Sequence, residues 1–276
     1  MSGSKTTETN SRLNHLFDDL VAKLRSYIRE NRLTHDEYRQ AVAFLSEIGS
    51  TGETPLLMDV FLEVTVDQVD SADRGGTETC IEGPFYVADA PVMKSPCVLP
   101  HRSEEPGDVL ILSGCVRSTD GTVLPGAVVD IWQADAKGAY SHFNIPETEA
   151  PFNLRARVGV DQGGRFEIRT WVPASYEIPK AGPTGKLISA MGRHAWRPAH
   201  IHLRLTHQGY QTLTTQIFVA GDPWIDSDVV GAVKGPLVAS LQKHEDPADL
   251  RQQGLTRPYY TLAYDFVLPP ILAKAA

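Results

Sequence analysis

The chain is poor in cysteine. Its three, Cys80, Cys97 and Cys115, are odd in number, widely spaced and form no CxxC pair. That pattern speaks against a disulfide framework and against the short-spaced thiolates of a structural zinc site, and it reads as reduced, partly buried thiols of a cytoplasmic protein. Long apolar runs are missing too, since nothing approaches the roughly 20 residues that span a bilayer. Residues 1–12, MSGSKTTETNSR, are polar, lack the apolar stretch of a secretory signal and read as a disordered tail. Positive charge is scarce: 26 Lys and Arg stand against 34 Asp and Glu, a formal net charge of −8, with no dense basic run. No nucleic-acid partner and no membrane insertion are therefore expected. Internal repeats and low-complexity segments are absent as well.

What is there is an ordinary globular composition, 276 residues of which 42% are hydrophobic, enough for one large domain or a domain with a substantial appendage. The first part is helical in pattern. Leu13, Leu16, Phe17, Leu20, Val21, Leu24 and Ile28 recur at three- and four-residue steps. Thr34 and Glu37 have capping-box spacing, so a second helix starts there, with Tyr38, Ala41, Val42, Leu45 and Ile48 as its stripe and Gly49 as its stop. Thr54-Pro55 opens a third helix whose core face includes Leu57, Val60, Phe61 and Val64. Residues 73–92 are rich in Gly and Pro and read as an irregular connection. From residue 108 the apolar period becomes two. Strands are expected in the apolar run that opens at 108, around 127–132, and at 155–160, 165–172, 199–205, 212–219 and 259–268, with an Asp-Gly turn at 120–121. Residues 222–257 hold a long loop or a short helix. The fold class is mainly β, an antiparallel β-sandwich, behind an α-helical N-terminal segment. The boundaries are 1–75 for the helical segment, 76–107 for the connection and 108–276 for the sandwich.

Chemistry is first suggested by "WRPAHIHLRL" (196–205). On a strand, His200 and His202 point the same way while Ile201, Leu203 and Leu205 face the core. Alone, the pair suits either one metal ion or two polar side chains on a sheet face. No HExxH or HxHxDH pattern completes a zinc hydrolase set. Tyr140 and Tyr176 stand in loops that follow strands, where sandwich proteins place functional side chains. For each the plain alternative is a packed ring with a bonded hydroxyl.

The phrases "IEGPFY" (81–86), "LPGAVVDIWQADAKGAYS" (124–141), "FNLRARV" (152–158), "GRFEIRTWVPASYEIPKAGPTG" (164–185), "GRHAWRPAHIH" (192–202) and "LTTQIFVAGDPWIDSD" (213–228) stand in one order. As a set they resemble the intradiol ring-cleaving dioxygenases, above all those that act on catechol, over nearly the whole chain. The resemblance implies cleavage of catechol with O2 to cis,cis-muconate at a non-haem Fe(III) held by Tyr140, Tyr176, His200 and His202. Two phenolates are hard, anionic donors that favour the ferric state. Tyr176 matches the ligand that leaves the metal and accepts a substrate proton, and Gly182 and Gly185 would let its loop move. Arg197 matches an arginine that stabilises charge on the ring, and Gln216 a glutamine near the ligands. By the same match Leu57, Val60, Ile81, Pro84 and Phe85 line the ring slot. Two departures stand out: Phe85, where relatives carry Leu or Tyr, and Gln133, where they often carry His. His142 and His194 fall outside the four-ligand set. The helical segment matches the family's homodimer interface, where a phospholipid often sits. The alternatives are a hydroxyquinol or chlorocatechol 1,2-dioxygenase, a zinc hydrolase, and a metal-free transthyretin-like binding module.

Overall fold

A computed structural model describes residues 5–143 and 151–271. The chain divides into two compact units, residues 1–52 and 53–276, so the third helix belongs with the sheets and the boundary lies well before residue 75. The first unit contains α1 (Lys5–Glu30) and α2 (His35–Thr51). Helix α1 begins inside the stretch read as a disordered tail. Polar composition does not forbid a helix, because Lys and Glu are good helix formers. The capping box at α2 forms as expected: Glu37 Oε2 accepts from the Thr34 N–H at 2.7 Å and Thr34 Oγ1 from the Glu37 N–H at 3.3 Å. Such a cap is worth about 1 kcal/mol. The helix ends at Gly52, which holds the left-handed φ of +74° the C-cap needs, and not at Gly49. Leu13, Leu16, Phe17, Leu20 and Leu24 form an exposed apolar face on α1, and Tyr38, Val42 and Leu45 one on α2.

The second unit opens with α3 (Thr54–Met58), a single π turn (Asp59–Glu63) and α4 (Val64–Ser71), which run on as one distorted helix. The strands are β1 (Val92–Lys94), β2 (Cys97–Val98), β3 (Val109–Ser118), β4 (Val128–Gln133), β5 (Arg155–Gly159), β6 (Arg165–Trp171), β7 (Tyr176–Glu177), β8 (Trp196–Arg197), β9 (His200–Thr206), β10 (Leu213–Val219), β11 (Val238–Ala239), β12 (Gln242–His244), β13 (Tyr259–Ala263) and β14 (Phe266–Leu268). Helix α5 (Pro183–Ala190) separates β7 from β8, and α6 (Pro247–Gln252) separates β12 from β13. The expected strand over 259–268 is thus two strands. One sheet has the order β1-β5-β4-β9-β10-β11 and the other β12-β13-β3-β6-β2, with β14 on β3.

The sheets are mixed, which corrects the antiparallel expectation. The centres (β4 with β5 and β9, β9 with β10, β3 with β6) are antiparallel, whereas β1, β2, β11, β13 and β14 join in parallel. Parallel neighbours need long crossovers, and these pairings link segments distant in sequence. The core lies between the sheets. Val129, Ile131, Ala156, Ile201, Leu203 and Leu205 from one meet Leu110, Leu112, Phe166 and Ile168 from the other. Each fully buried Ile or Leu contributes about 1.5–3 kcal/mol, which locks the register of β4 and β9 and so decides which side chains face outward. Among the described residues no helix is long and apolar enough to cross a membrane.

Candidate metal centre and ring slot

The outward face of β4 and β9 carries the site. His200 and His202 alternate with buried Ile201 and Leu203, as the period of two requires. Register sets Trp132 opposite His202 on one side and Gln216 opposite it on the other. The Trp132 ring stacks on the His202 ring at 4.9 Å and 10°.

Two loops supply the phenols. After β4, Asp135 Oδ1 accepts from the Lys137 and Ala139 N–H groups at 2.8 and 2.9 Å, an Asx-type turn that delivers Tyr140. Gly138 in that turn has φ +82°, and a Cβ there would lie 2.8 Å from Tyr176 Cβ and 3.2 Å from Ser175 O. Glycine is what allows the Tyr140 loop to lie against the Tyr176 loop. The short β7–β8 pair then sets Tyr176 directly across from Arg197, three residues before His200.

The donors converge. His200 Nε2 lies 3.0 Å from His202 Nε2 and 3.4 Å from the Tyr140 hydroxyl, which is 3.1 Å from His202 Nε2. The Tyr140 and Tyr176 rings meet edge to face at 5.4 Å. All four side chains are buried. Burial, reinforced by Arg197, pushes His200 down to about 3, and burial with the neighbouring His200 pushes His202 well below its ordinary value, so both imidazoles are neutral. His200 Nδ1 donates to Pro198 O at 2.6 Å, a role that follows from the carbonyl partner and leaves Nε2 as the lone-pair nitrogen. His202 Nδ1 is buried with no hydrogen-bond partner among the described residues. If it carries the proton, two Nε2 lone pairs face each other at 3.0 Å, an arrangement that a cation between them relieves. Burial raises both phenols; Tyr176 adds to the shift at Tyr140, while Arg197 opposes the shift at Tyr176. A metal must therefore displace the phenol protons as it binds. Among the described residues no three His, Cys, Asp or Glu side chains group to hold a metal. Two neutral imidazoles and two phenolates fit a hard, highly charged cation and bring its charge close to neutrality.

Arg197 is buried beside the donors. It donates from Nε to Asp228 Oδ1 at 3.2 Å and from Nη2 to Asp228 Oδ2 at 3.3 Å and Gln216 Oε1 at 2.9 Å. Its Nη1 lies 3.3 Å from His200 Nε2. Burial opposes ionisation of Asp228, but the Arg197 charge and hydrogen bonds outweigh it and hold the carboxyl below its ordinary value. Gln216 donates from Nε2 to Ile81 O at 2.8 Å and so ties Arg197 to the slot wall.

The slot beside Arg197 and Tyr176 is a narrow cavity of about 20 Å³, lined by Leu56, Val60, Ile81, Pro84 and Phe85. Leu57 is not among the lining residues. Leu56 and Val60 share a helix face at i, i+4, and Leu57 is turned off that face by one position. Asp59 also lines the slot, with its carboxyl raised by burial. The Phe85 ring stacks on Tyr140 at 4.4 Å and 18° and meets Tyr176 edge-on at 5.9 Å.

The other singled-out residues lie apart. His142 is exposed against Phe152, and His194 accepts from the Trp196 N–H at 3.2 Å. Gln133 joins the two sheets, donating to Trp171 O at 2.7 Å and accepting from Thr170 Oγ1 at 2.8 Å. Gly182 and Gly185 are close-packing positions: a Cβ at Gly182 would collide with the Glu53 carboxylate and one at Gly185 with the Lys180 main chain. Sequence reasoning missed Asp228, Asp59, Trp132 and Arg155 at the site. Trp132, Arg155 and Asp228 each stand within one of the ordered phrases, and Asp59 stands in none.

Comparison with known proteins agrees with this architecture. The family profile described as "Dioxygenase" matches residues 81–270, and "Catechol dioxygenase N terminus" matches residues 10–78. The chain belongs to the intradiol ring-cleaving dioxygenase family. It is 42% identical over 236 residues to a chlorocatechol 1,2-dioxygenase of Rhodococcus opacus, covering 85% of this chain and 91% of the relative. It is 36% identical over 274 residues to a catechol 1,2-dioxygenase of Acinetobacter baylyi, covering 97% and 88%. The crystal structure of 3-chlorocatechol 1,2-dioxygenase from Rhodococcus opacus superposes with a TM-score of 0.86 at 37% identity, covering 95% of this chain and 99% of the other.

Proposed function

We propose that this chain cleaves catechol with O2 to cis,cis-muconate at a non-haem Fe(III) held by Tyr140, Tyr176, His200 and His202. The observation that carries the reading is the convergence of two buried phenols and two neutral imidazoles at the end of an apolar slot, with a buried guanidinium alongside. Bound ferric iron supplies a Lewis acid and a template for the ring and O2. The chain's own residues do the rest. The slot walls exclude water and clamp the flat ring, with the Phe85 face as one wall. Tyr176 Oη takes up a catechol proton, and its place across from Arg197 keeps a cation beside that oxygen in either protonation state. Arg197, held by Asp228 and Gln216, presents a fixed positive charge to the negative charge that develops on the ring. Gln216 acts by holding Arg197 and Ile81 in place.

The relative that is 42% identical favours a second reading, chlorocatechol as the preferred substrate. Asp59 bears on the choice, because a carboxyl in the slot gives a ring chlorine no hydrogen-bond partner but accepts a hydrogen bond from an added ring hydroxyl, as in hydroxyquinol. The test is kcat/KM of the iron-loaded protein on catechol, 4-chlorocatechol and hydroxyquinol, with muconate formation and O2 uptake followed together. Catechol leading supports the first reading, and 4-chlorocatechol leading replaces it with the second. A strong preference for hydroxyquinol refutes both, and a colourless protein that consumes no O2 refutes the reaction class. We also infer a homodimer through the exposed apolar faces of α1 and α2, with a phospholipid between the helices. Light scattering tests the dimer, and lipid extraction with mass spectrometry tests the lipid.

A further inference from the structure

Arg155, at the start of β5, is 1% exposed. A buried guanidinium is costly unless something requires it. Its hydrogen-bond partners among the described residues are all neutral: Nε donates to Ser141 Oγ at 2.6 Å, Nη2 to Ser141 O at 2.9 Å and Nη1 to Phe85 O at 2.6 Å. Ser141 Oγ in turn donates to Asn153 O at 2.9 Å. Ser141 follows Tyr140, and Phe85 stacks on the Tyr140 ring, so one planar side chain joins the main chain of the slot wall to the main chain of the phenol it faces. The Arg155 Cζ lies 5.9 Å from the centre of the Tyr140 ring. A guanidinium can span two backbone segments with its rigid fork, which a lysine ammonium cannot do.

We propose that Arg155 is a positioning residue that sets the spacing of the Phe85 ring from the Tyr140 phenol and thereby which ring substituents the slot takes. This rests on the reading that the slot takes a catechol. The side chain is not among the residues that line the slot. It acts through Phe85, so its effect must vanish when the Phe85 ring is gone.

The test uses four iron-loaded proteins: wild type, Arg155→Lys, Phe85→Leu and the double variant. Without O2, each is titrated optically with catechol and with 4-chlorocatechol, and the ratio of the two dissociation constants is read. That ratio does not depend on the fraction of protein folded or loaded. Arg155→Lys is expected to move it by roughly fivefold or more, and to move it by less than about twofold when Phe85 is already Leu. A ratio unchanged in Arg155→Lys, with only a lower unfolding temperature, overturns the proposal, as does an equal change in both backgrounds. If Arg155→Lys does not fold, Ser141→Ala, which removes one acceptor, must shift the ratio in the Phe85 background alone, and an unchanged ratio overturns the proposal. If wild type binds neither catechol, the substrate reading has failed. The positioning is then read in metal-free protein, where near-ultraviolet circular dichroism identical in wild type and Arg155→Lys overturns it.

Discussion

Replacing Asp228 by Asn removes one charge from the centre of the site and almost no volume. In the native chain both partners of the Arg197–Asp228 pair are at most 3% exposed, and they meet at 3.2 Å. The asparagine keeps an oxygen that can accept from the Ala232 N–H, which Asp228 Oδ2 does at 3.0 Å. Arg197 would keep Gln216 Oε1, the His200 ring and Tyr176 as polar neighbours but lose the buried carboxylate that balances its charge. Breaking a buried pair in this way costs about 3–5 kcal/mol. At about 2–4 °C per kcal/mol for a chain of this size, the unfolding temperature should fall by about 10 °C. Turnover should fall as well, because a guanidinium free to turn no longer holds its charge against the ring. The assay is thermal unfolding by circular dichroism, with kcat on catechol measured on the same preparations. Arg197→Met and the double variant close the cycle: the pair should couple by at least about 2 kcal/mol, and the double variant should be more stable than Asp228→Asn alone. A loss below about 1 kcal/mol, or additive single changes, would refute the reasoning that Asp228 is there to balance Arg197.

Three more perturbations report on separate parts of the site. Tyr140→Phe or His202→Ala should abolish the tyrosinate-to-iron absorption of protein expressed with ample iron, and a variant that keeps its colour and turnover removes that residue from the donor set. Gly138→Ala combines a positive φ with a contact of 2.8 Å to Tyr176 Cβ and should cost about 2 kcal/mol or more, measured by urea unfolding, with weakened metal retention; wild-type stability would show that the two tyrosine loops are not in close contact. Glu63, raised to about 7 by burial and by Asp59, has Oε2 buried without a partner among the described residues. Between pH 4.5 and about 7 the unfolded chain releases this proton while the folded chain keeps it, so stability falls as pH rises through that window and stays low above it. Glu63→Gln should flatten the profile and gain about 1–3 kcal/mol at pH 8, with no gain at pH 4; an unchanged slope from pH 4.5 to 7 contradicts the burial argument.

How much of this was legible from residue order depends on the range of the interaction. Period-two patterning placed six of the fourteen strands, β3, β4, β5, β6, β9 and β10, because alternation is a local consequence of one buried face. It could not tell parallel from antiparallel edges, since both bury the same face and differ only in where a distant segment returns. The split of 259–268 into β13 and β14 escaped for a similar reason: both halves pair with β3, and the break between them is set by Tyr264 and Asp265 meeting that strand. The Thr34–Glu37 cap was readable because it spans three residues. The helix stop was placed at Gly49 in place of Gly52, because either glycine could take the left-handed turn. Leu57 failed by one step in helical phase, and a π turn follows at once, where no simple period holds.

By itself the amino-acid order determined the alternation that turns His200 and His202 to one face, and an ordered set of phrases specific enough to mark the family. Those are properties of neighbours along the chain or of motifs in series. Only the tertiary structure decided that Gly138 clears room for Tyr176, that Asp228 neutralises Arg197, that Asp59 enters the slot and that Arg155 ties Phe85 to Ser141. Each joins segments that meet only when two loops and two sheets close around one buried point. There the cost of burying charge and the lack of space for a single Cβ select the partner, and neither quantity exists until the chain is folded.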